Sequence, residues 1–306
     1  MIKPIVVQEI SKSYGAIEAV RDLSFEVEQG ELFGLIGADG AGKTTLMRIL
    51  ITLLLADKGK AYIQGMDVVD DYKAIRKIIG YMPGRFSLYH DLSVEENLNF
   101  FASIFNTTVK ENYHLIKDIY SHIEPFKTRP AGKLSGGMKQ KLALSCALIH
   151  KPDILVLDEP TTGVDAVSRR EFWDMLKKLK TMGVTILVST PYMDEAGQCD
   201  RVALIQSGSI LAIETPEAIT QLFGRRLFAV RAANMFTLIT SIEHLPGLKF
   251  TLAGQFINVY DEADRYNSET LLSLITAAGN TGVSITEVQP TIEDCFIKLM
   301  TKKPAA

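Results

Sequence analysis

Short apolar runs recur along the first two thirds of the chain, and residues with helical spacing separate them. The run 154–157 is wholly apolar, which is typical of a strand buried on both faces of a parallel sheet. Strands alternating with helices predict an α/β fold. The predicted strands are 5–10, 23–27, 32–36, 154–157, 185–189 and 201–206.

Apolar residues at helical spacing predict helices after Lys43, after Ser93 and over 168–180. Ser93 followed three residues later by Glu96 has the pattern of a capping box. Most of the region of about 87–151 has a helical sequence pattern, which predicts a helical insertion. The apolar faces comprise Leu46, Ile49, Leu50 and Leu53; Leu98, Phe101, Ile104 and Phe105; and Phe172, Met175, Leu176 and Leu179.

After Phe223-Gly224 the pattern changes to a βαββαβα order, which predicts a small α+β domain of the split βαβ, ferredoxin-like kind. With Arg225-Arg226 as the boundary, we predict one domain at 1–224 and an accessory domain at 225–306. The predicted strands are 226–231, 248–252, 255–260 and 283–288, and the helices are 234–243, 268–278 and 291–300.

The composition is that of a globular protein, with 47% hydrophobic and 23% charged residues among 306. A net charge of −3 disfavours a nucleic-acid partner. The longest apolar run, 49–56, is far shorter than the roughly 20 residues that span a bilayer, and the start lacks a signal-peptide core. We therefore expect a soluble, cytoplasmic protein. Cys146, Cys199 and Cys295 lack metal-site spacing and are expected to be free thiols.

Residues 37–44 match the phosphate-binding pattern G-x-x-x-x-G-K-[ST] and lie between a predicted strand and a helix. Glycines there let backbone amides face phosphate oxygens, and Lys43 supplies a positive charge. Thr44 is placed to ligate Mg²⁺, and Thr45 to contact a neighbouring phosphate. The predicted ATP-binding residues of this loop are Gly37, Ala38, Asp39, Gly40, Ala41, Gly42, Lys43, Thr44 and Thr45.

Two carboxylates end the apolar strand at 154–157. A carboxylate in this position lies near the metal of a phosphate-binding loop, so Asp158 is a predicted Mg²⁺ ligand together with Thr44. Glu159 is placed to polarise an attacking water. The predicted catalytic residues are Glu159, Lys43 and Asp158.

A second phosphate-binding element lies at 134–138, too far along the chain to be part of the first loop. The hydroxyl of Ser135 and the amides of Gly136 and Gly137 precede a helix and make an anion site. Two such half-sites in one chain predict that ATP is closed between two copies of the fold.

Together these motifs resemble the ATPase subunit of an ATP-binding cassette (ABC) transporter, over roughly residues 3–223. The resemblance implies a P-loop NTPase fold and a head-to-tail dimer, with ATP between the P-loop of one subunit and the Ser-Gly-Gly segment of the other. It also implies that Tyr14 stacks on adenine and that Asp165 touches the opposite subunit.

Three positions depart from that family's pattern. Gly84 stands where the family usually has a Gln that reaches Mg²⁺ and water, and Pro191 stands where it has a His on the γ-phosphate. Asp39 replaces a more usual Asn. Losing one transition-state donor costs about 10²–10³ in rate, so we expect this chain's own site to be slow. An alternative is that His90 or Tyr192 replaces the lost groups.

The segments 189–196 and 289–296 resemble ATPases of the ABC-2 type, drug-export group. That resemblance implies ABC-2 membrane permease partners, a second cassette in a heterodimer or homodimer, in some members a periplasmic adaptor, and a place at the cytoplasmic face of the membrane. For the C-terminal domain we favour a dimer-stabilising appendage over a regulatory ligand site.

The leading hypothesis is an ATP-hydrolysing, energy-coupling subunit of an exporter, and the alternative is a nucleotide-gated regulatory module with negligible hydrolysis. A translation factor or DNA-repair ATPase of the same superfamily is disfavoured. Those proteins usually carry two cassettes in one chain or long coiled-coil insertions, and this sequence shows neither feature.

Overall fold

The structure, a computed structural model, describes residues 2–301 and divides the chain into two units, Met1–Pro216 and Glu217–Ala306. Within the described residues, no helix combines the length and the apolar character needed to cross a membrane. The strands of the first unit are β1 (Ile5–Tyr14), β2 (Ile17–Val27), β3 (Leu32–Ile36), β4 (Lys58–Ile63), β5 (Met66–Asp67), β6 (Ile79–Met82), β7 (Ile154–Asp158), β8 (Thr185–Thr190), β9 (Arg201–Gln206) and β10 (Ser209–Glu214). Its helices are α1 (Lys43–Leu50), α2 (Tyr72–Ile78), α3 (Val94–Ile104), α4 (Val109–Tyr120), α5 (Gly136–Leu148) and α6 (Ala166–Thr181).

A six-stranded sheet with the order β10-β9-β3-β8-β7-β6 forms the centre of the first unit. All neighbours are parallel except β10, which pairs antiparallel with β9. Every residue of β3, β7 and β8 is buried, as expected for strands covered on both faces. The carboxyl ends of β3, β8 and β7 therefore lie side by side at one edge.

The strands predicted at 5–10 and 23–27 do not join this sheet. They are longer than predicted and pair with β4 and β5 in a separate antiparallel sheet of order β2-β1-β4-β5. The separate sheet buries only part of each of these strands, whereas β3, β7 and β8 are buried throughout, but a short apolar run does not by itself say which strands will pair with it. A turn at Gly15, with φ of +60°, joins β1 to β2 and leaves Tyr14 at the strand end.

The region 87–151 is helical, as predicted, and contains α3, α4 and α5. The capping box is confirmed: Ser93 Oγ accepts from Glu96 N at 3.2 Å, and the Glu96 carboxylate accepts from Ser93 N at 2.7 Å. A second box, between Thr108 and Glu111, opens α4.

Several predicted helix faces were wrong in part. Helix α1 ends at Leu50, so Leu53 lies outside it and is 60% exposed. Ile104 is exposed on α3, where Asn97 is buried instead. On α6, Met175 is half-buried and Trp173 is buried. Spacing identified the helices correctly, but the packing partners decide which residues at the margins of each apolar face are covered.

The second unit follows the predicted βαββαβα order with β11 (Leu227–Arg231), α8 (Met235–Glu243), β12 (Leu248–Ala253), β13 (Phe256–Asp261), α9 (Ser268–Ala277), β14 (Ser284–Val288) and α10 (Ile292–Thr301). Its antiparallel sheet has the order β12-β13-β11-β14. Residues from the sheet, α8 and α9 form a core of their own. This is the split βαβ arrangement.

The division falls eight residues before the predicted boundary, because 217–224 packs with the second unit. The Phe223 ring lies 5.2 Å from the Tyr260 ring in an edge-on arrangement, and Cys295 Sγ lies 3.6 Å from Thr220 O. The short helix α7 (Pro216–Gln221) spans the junction.

Candidate functional site

The loop between β3 and α1 is shaped by glycines whose surroundings leave no room for a side chain. A Cβ at Gly37 would lie 2.1 Å from the Ile205 carbonyl oxygen, and one at Gly42 would lie 2.3 Å from that of Ala19. Gly42 also has a φ of +105°, which L-residues rarely adopt. Gly40 has a φ of +78° but open space around it. The tight turn therefore depends on Gly37 and Gly42 for steric reasons.

Lys43 is 3% exposed and is held at the start of α1 by oxygen atoms. Its Nζ donates to the carbonyl oxygens of Gly37 at 2.8 Å and Ala38 at 3.0 Å, and lies 3.1 Å from Glu159 Oε1. Each proton of this buried ammonium has an acceptor, which offsets the cost of burying the group. The geometry fits a phosphate-binding lysine whose partner in this structure is Glu159.

Asp158 ends β7 opposite the start of α1. Its Oδ1 accepts from Thr44 Oγ1 at 3.1 Å and from Ser189 Oγ at 2.8 Å. A hydroxyl and a carboxylate oxygen side by side are ligands that Mg²⁺ accepts, with water and phosphate oxygens completing its shell. Thr44 and Asp158 thus fit the predicted metal site, although no cluster of three or more His, Cys, Asp or Glu residues occurs among the described residues.

Glu159 follows with a φ of +49°, a conformation uncommon for a residue with a side chain. Its amide donates to the carbonyl oxygen of Ser189 at 3.1 Å and to the hydroxyl at 3.0 Å. These bonds to β8 hold the backbone in this turn. Backbone strain over-determined by neighbouring bonds is characteristic of functional positions.

The predicted nucleotide residues fall into two groups in the fold. A cleft of about 260 Å³ is lined by Ala19, Gly40, Gly42, Lys43, Thr44, Thr45 and Glu159. Ser135, Gly136, Gly137 and Asp165 do not line that cleft, and Tyr14 is 47% exposed at the end of β1.

The Ser-Gly-Gly segment opens α5, where Ser135 Oγ accepts from Met138 N at 3.4 Å. Ser135 and Gly136 are exposed. A Cβ at Gly137 would lie 2.5 Å from Ser168 Oγ, and one at Gly136 would lie 3.4 Å from Gly163 O. This second group thus packs against the loop that ends at Asp165, and its exposed face is available to a second molecule.

Asp165 is the N-cap of α6, and its Oδ1 accepts from the amides of Val167 at 3.1 Å and Ser168 at 3.0 Å. The Ser168 amide is the main reason that the pKa of Asp165 is lowered from its ordinary value. Within this chain Asp165 therefore has a structural role, as well as the one predicted at a dimer interface.

Two of the three departures, Gly84 and Pro191, follow the carboxyl ends of strands of the central sheet. A Cβ at Gly84 would lie 3.0 Å from the carbonyl oxygen of Asp158, so the position faces the end of β7. Pro191 follows β8 directly. Of the proposed substitutes, Tyr192 has its ring 4.3 Å from the Arg169 guanidinium carbon, and His90 lies against Phe86, with 5.2 Å between ring centroids. Neither is among the residues that line the cleft.

Sequence analysis missed Glu195, a carboxylate that is 3% exposed. Its Oε2 accepts from Thr161 Oγ1 at 3.0 Å and from Thr190 Oγ1, and Arg169 Nε lies 3.6 Å from its Oε1. Glu195 thus ties the loop after Glu159 to the end of β8. An isolated Glu in a polar stretch carries no sequence signal of this role.

We expect Gly42→Ala to lower ATP affinity by more than about tenfold, because the new methyl group collides with the Ala19 carbonyl. Gly40→Ala is the matched control, since it also has a positive φ but no neighbour within 4 Å. Titration of both variants with a fluorescent ATP analogue measures the difference. Equal affinities for the two variants would contradict the steric explanation.

Glu195→Ala should lower the free energy of unfolding by about 2 kcal/mol or more, because it leaves two buried hydroxyls without an acceptor. Glu171→Ala, which removes only a surface ion pair with Lys141, should cost less than about 1 kcal/mol. Urea denaturation of the full chain compares the two. Similar losses would show that the Glu195 network does not stabilise the fold.

Comparison with known proteins agrees with this geometry. Residues 20–162 match the ABC transporter family. The chain is 39% identical over 287 residues to the probable multidrug ABC transporter ATP-binding protein YbhF of Escherichia coli, covering 92% of this chain and 49% of that protein. It therefore spans about half the length of that relative. It is 33% identical over 299 residues to the Nod factor export ATP-binding protein I of Sinorhizobium fredii, covering 96% of this chain and 85% of that protein.

Solved structures agree on the fold. An ATP-binding subunit of an ABC transporter is 28% identical and superposes with a TM-score of 0.65 over 72% of this chain and 93% of that one. A dimeric bacterial ABC transporter cassette is 25% identical, with a TM-score of 0.63 over 69% of this chain and 98% of that one. The P-loop NTPase fold of the first unit and the sequence relatives together show that the chain belongs to the family of ABC transporter ATP-binding proteins.

Proposed function

We propose that this protein binds and hydrolyses ATP as the energy-coupling subunit of an ABC-2 type exporter. The observation that carries the proposal is the meeting of Lys43, Thr44 and Glu159 around one cleft, with Asp158 hydrogen-bonded to Thr44, at the carboxyl ends of β3 and β7. The multidrug and Nod-factor export relatives support export as the process.

In this proposal each residue has one task. The amides of the loop and Lys43 bind the β- and γ-phosphates, so the phosphates must displace Glu159 from its 3.1 Å contact with Lys43. Thr44 and Asp158 hold Mg²⁺, which neutralises charge on the phosphate oxygens. Glu159, released from Lys43, accepts a proton from the water that attacks the γ-phosphate.

The exposed Ser135 and Gly136, together with Asp165, act on a nucleotide bound to a second cassette. Their absence from the lining of this chain's own cleft supports that assignment, because a helix N-terminus binds phosphate only where it can reach it. The partner is a second ABC ATPase, in a heterodimer or a homodimer.

Gly84 and Pro191 weaken hydrolysis in this chain's own cleft while leaving binding largely intact. Gly84 follows β6 and Pro191 follows β8 at the carboxyl side of the central sheet, and neither supplies a side-chain donor. We therefore propose a heterodimer in which the more complete partner site is served by Ser135 of this chain. The same two positions favour the second candidate function, a nucleotide-gated regulatory module with negligible hydrolysis.

Membrane permease subunits complete the proposed transporter and hold this protein at the cytoplasmic face. An apolar cavity of about 520 Å³ beside Gly84 supports this, because Tyr81, Met82 and Pro83 help to line it. The cavity suits an apolar segment of a permease. A periplasmic adaptor, as in some members of the group, is part of the same proposal.

In the assembled complex, Ser135→Arg should abolish ATP hydrolysis, because it blocks the half-site that acts on the partner's ATP. Lys43→Ala should reduce hydrolysis only partly, because it disables the slower of the two sites. Phosphate release by purified complex measures both. Equal losses would exclude the heterodimer, and negligible, Glu159-independent hydrolysis in the unmodified complex would favour the regulatory module.

Pro191→His should raise hydrolysis by this chain's own cleft about tenfold or more, because it restores a donor to the γ-phosphate. Pro191→Ala is the control for removing the ring alone and should leave the rate low. The rate is measured with this chain as the sole cassette, and Glu159→Gln in the same background should abolish the gain. No increase with Pro191→His would mean that this position does not limit hydrolysis.

A further inference from the structure

The second unit contains a cavity of about 400 Å³ that the motifs of the sequence did not predict. It lies between the segment before β11, the strands β12 and β13, and α10. Its volume is within the range of small-molecule sites in proteins. The lining residues are Arg225, Lys249, Tyr260, Glu262, Lys298 and Thr301.

The lining is positive although the chain as a whole is negative. Arg225, Lys249 and Lys298 line it together with one carboxylate, Glu262, whereas the whole chain carries −3. Among the described residues, Arg225 and Lys249 form no ion pair with a carboxylate within 4 Å. Arg225 donates instead to the carbonyl oxygens of Glu262 at 3.0 Å and Gly224 at 2.7 Å. A concave surface with uncompensated charge of one sign concentrates ions of the opposite sign.

Two further features indicate a built site. Lys298 donates to the Phe223 carbonyl, and its Nζ lies 4.5 Å from the Phe223 ring centroid and 5.7 Å from that of Tyr260, so this cation is held in place. Tyr260, which lies opposite Lys249 in the sheet, is more than nine-tenths buried. Its hydroxyl has no hydrogen-bond partner within residues 2–301, and burial raises its pKa, which keeps it a donor.

We propose that this cavity, defined by Arg225, Lys249, Tyr260 and Lys298, binds the dianion of a small phosphate monoester. Arg225 and Lys249, which have no carboxylate partner among the described residues, supply two positive charges for the two negative charges of that group, and ammonium, guanidinium and phenol groups all donate hydrogen bonds to phosphate oxygens. The remaining volume leaves room for an organic body. The C-terminal domain would thus be a ligand-binding domain, in contrast to the appendage favoured from the sequence.

The test uses the full chain with its ATP cleft filled by a non-hydrolysable ATP analogue, so that added phosphate compounds do not bind there. Phenyl phosphate is titrated by calorimetry. Lys249→Gln and Arg225→Gln should each weaken binding about tenfold. Glu262→Gln should strengthen it, a direction that simple damage to the fold would not produce. Arg231→Gln, at an exposed cation of the same unit outside the cavity, is the matched control and should change nothing.

A second arm separates a free metabolite from a lipid headgroup. Phosphatidylcholine vesicles with and without phosphatidic acid are tested for binding to the same variants. Binding that depends on phosphatidic acid and on Lys249 identifies the lipid as the source of the phosphate monoester. The proposal is overturned if neither probe binds, or if Arg231→Gln weakens binding as much as Lys249→Gln. It does not rest on ATP hydrolysis, so either result leaves the proposed function unaffected.

Discussion

The parallel pairing of β3, β8 and β7 is the constraint on which the rest of the site depends. Ile36 pairs with Thr190, and Asp158 pairs with Ser189, so three strand ends from distant parts of the sequence reach the same edge. Hydrogen bonds from Gly37 N to Thr190 O and from Glu159 N to Ser189 O fasten both functional loops to the central strand. A shift in this register would move Asp158 away from Thr44 and separate the two predicted Mg²⁺ ligands.

The central strand β8 also supplies polar side chains that bond to the residues of the site. Ser189 donates to Asp158 and orients its carboxylate, while Thr190 donates to the buried Glu195. Glu195 in turn accepts from Thr161, two residues beyond Glu159. Most of the polar groups buried at this edge are hydrogen-bonded to one another, the exceptions being Glu195 Oε1 and Arg169 Nε, and these bonds allow charged residues in a region whose strands are otherwise apolar. On either side of Pro191, the Tyr192 amide donates to Thr190 Oγ1 at 3.1 Å.

The cations of the two units have different kinds of partner. In the first unit Lys43 is buried and shares acceptors with Glu159, so a ligand has to exchange for an existing contact. In the second unit Arg225 and Lys249 are exposed beside Tyr260, and Arg225 donates to carbonyl oxygens. Among the described residues these two cations form no ion pair with a carboxylate, so a ligand there has no carboxylate to displace from them.

The sequence by itself determined the fold class of each unit, the positions of most helices and strands that were predicted, and the residues of the phosphate loop. Local periodicity and the capping box at Ser93 depend on neighbours close in the chain, and the glycine spacing at 37–42 is recognisable as a pattern, although the contacts that require Gly37 and Gly42 come from Ile205 and Ala19. The βαββαβα order of the second unit is likewise visible in its hydrophobic pattern. The stacking of Tyr14 on adenine and the roles of Ser135 and Asp165 across a dimer remain predictions.

Only the tertiary structure decided what depends on partners distant in sequence. The assignment of β1 and β2 to a separate sheet, the exposure of Leu53 and the burial of Trp173 follow from packing that periodicity does not encode. Glu195 and the cavity at Tyr260 are the clearest cases. Their neighbours come from segments 34 residues before Glu195 and 38 residues after Tyr260, and only folding brings those segments together.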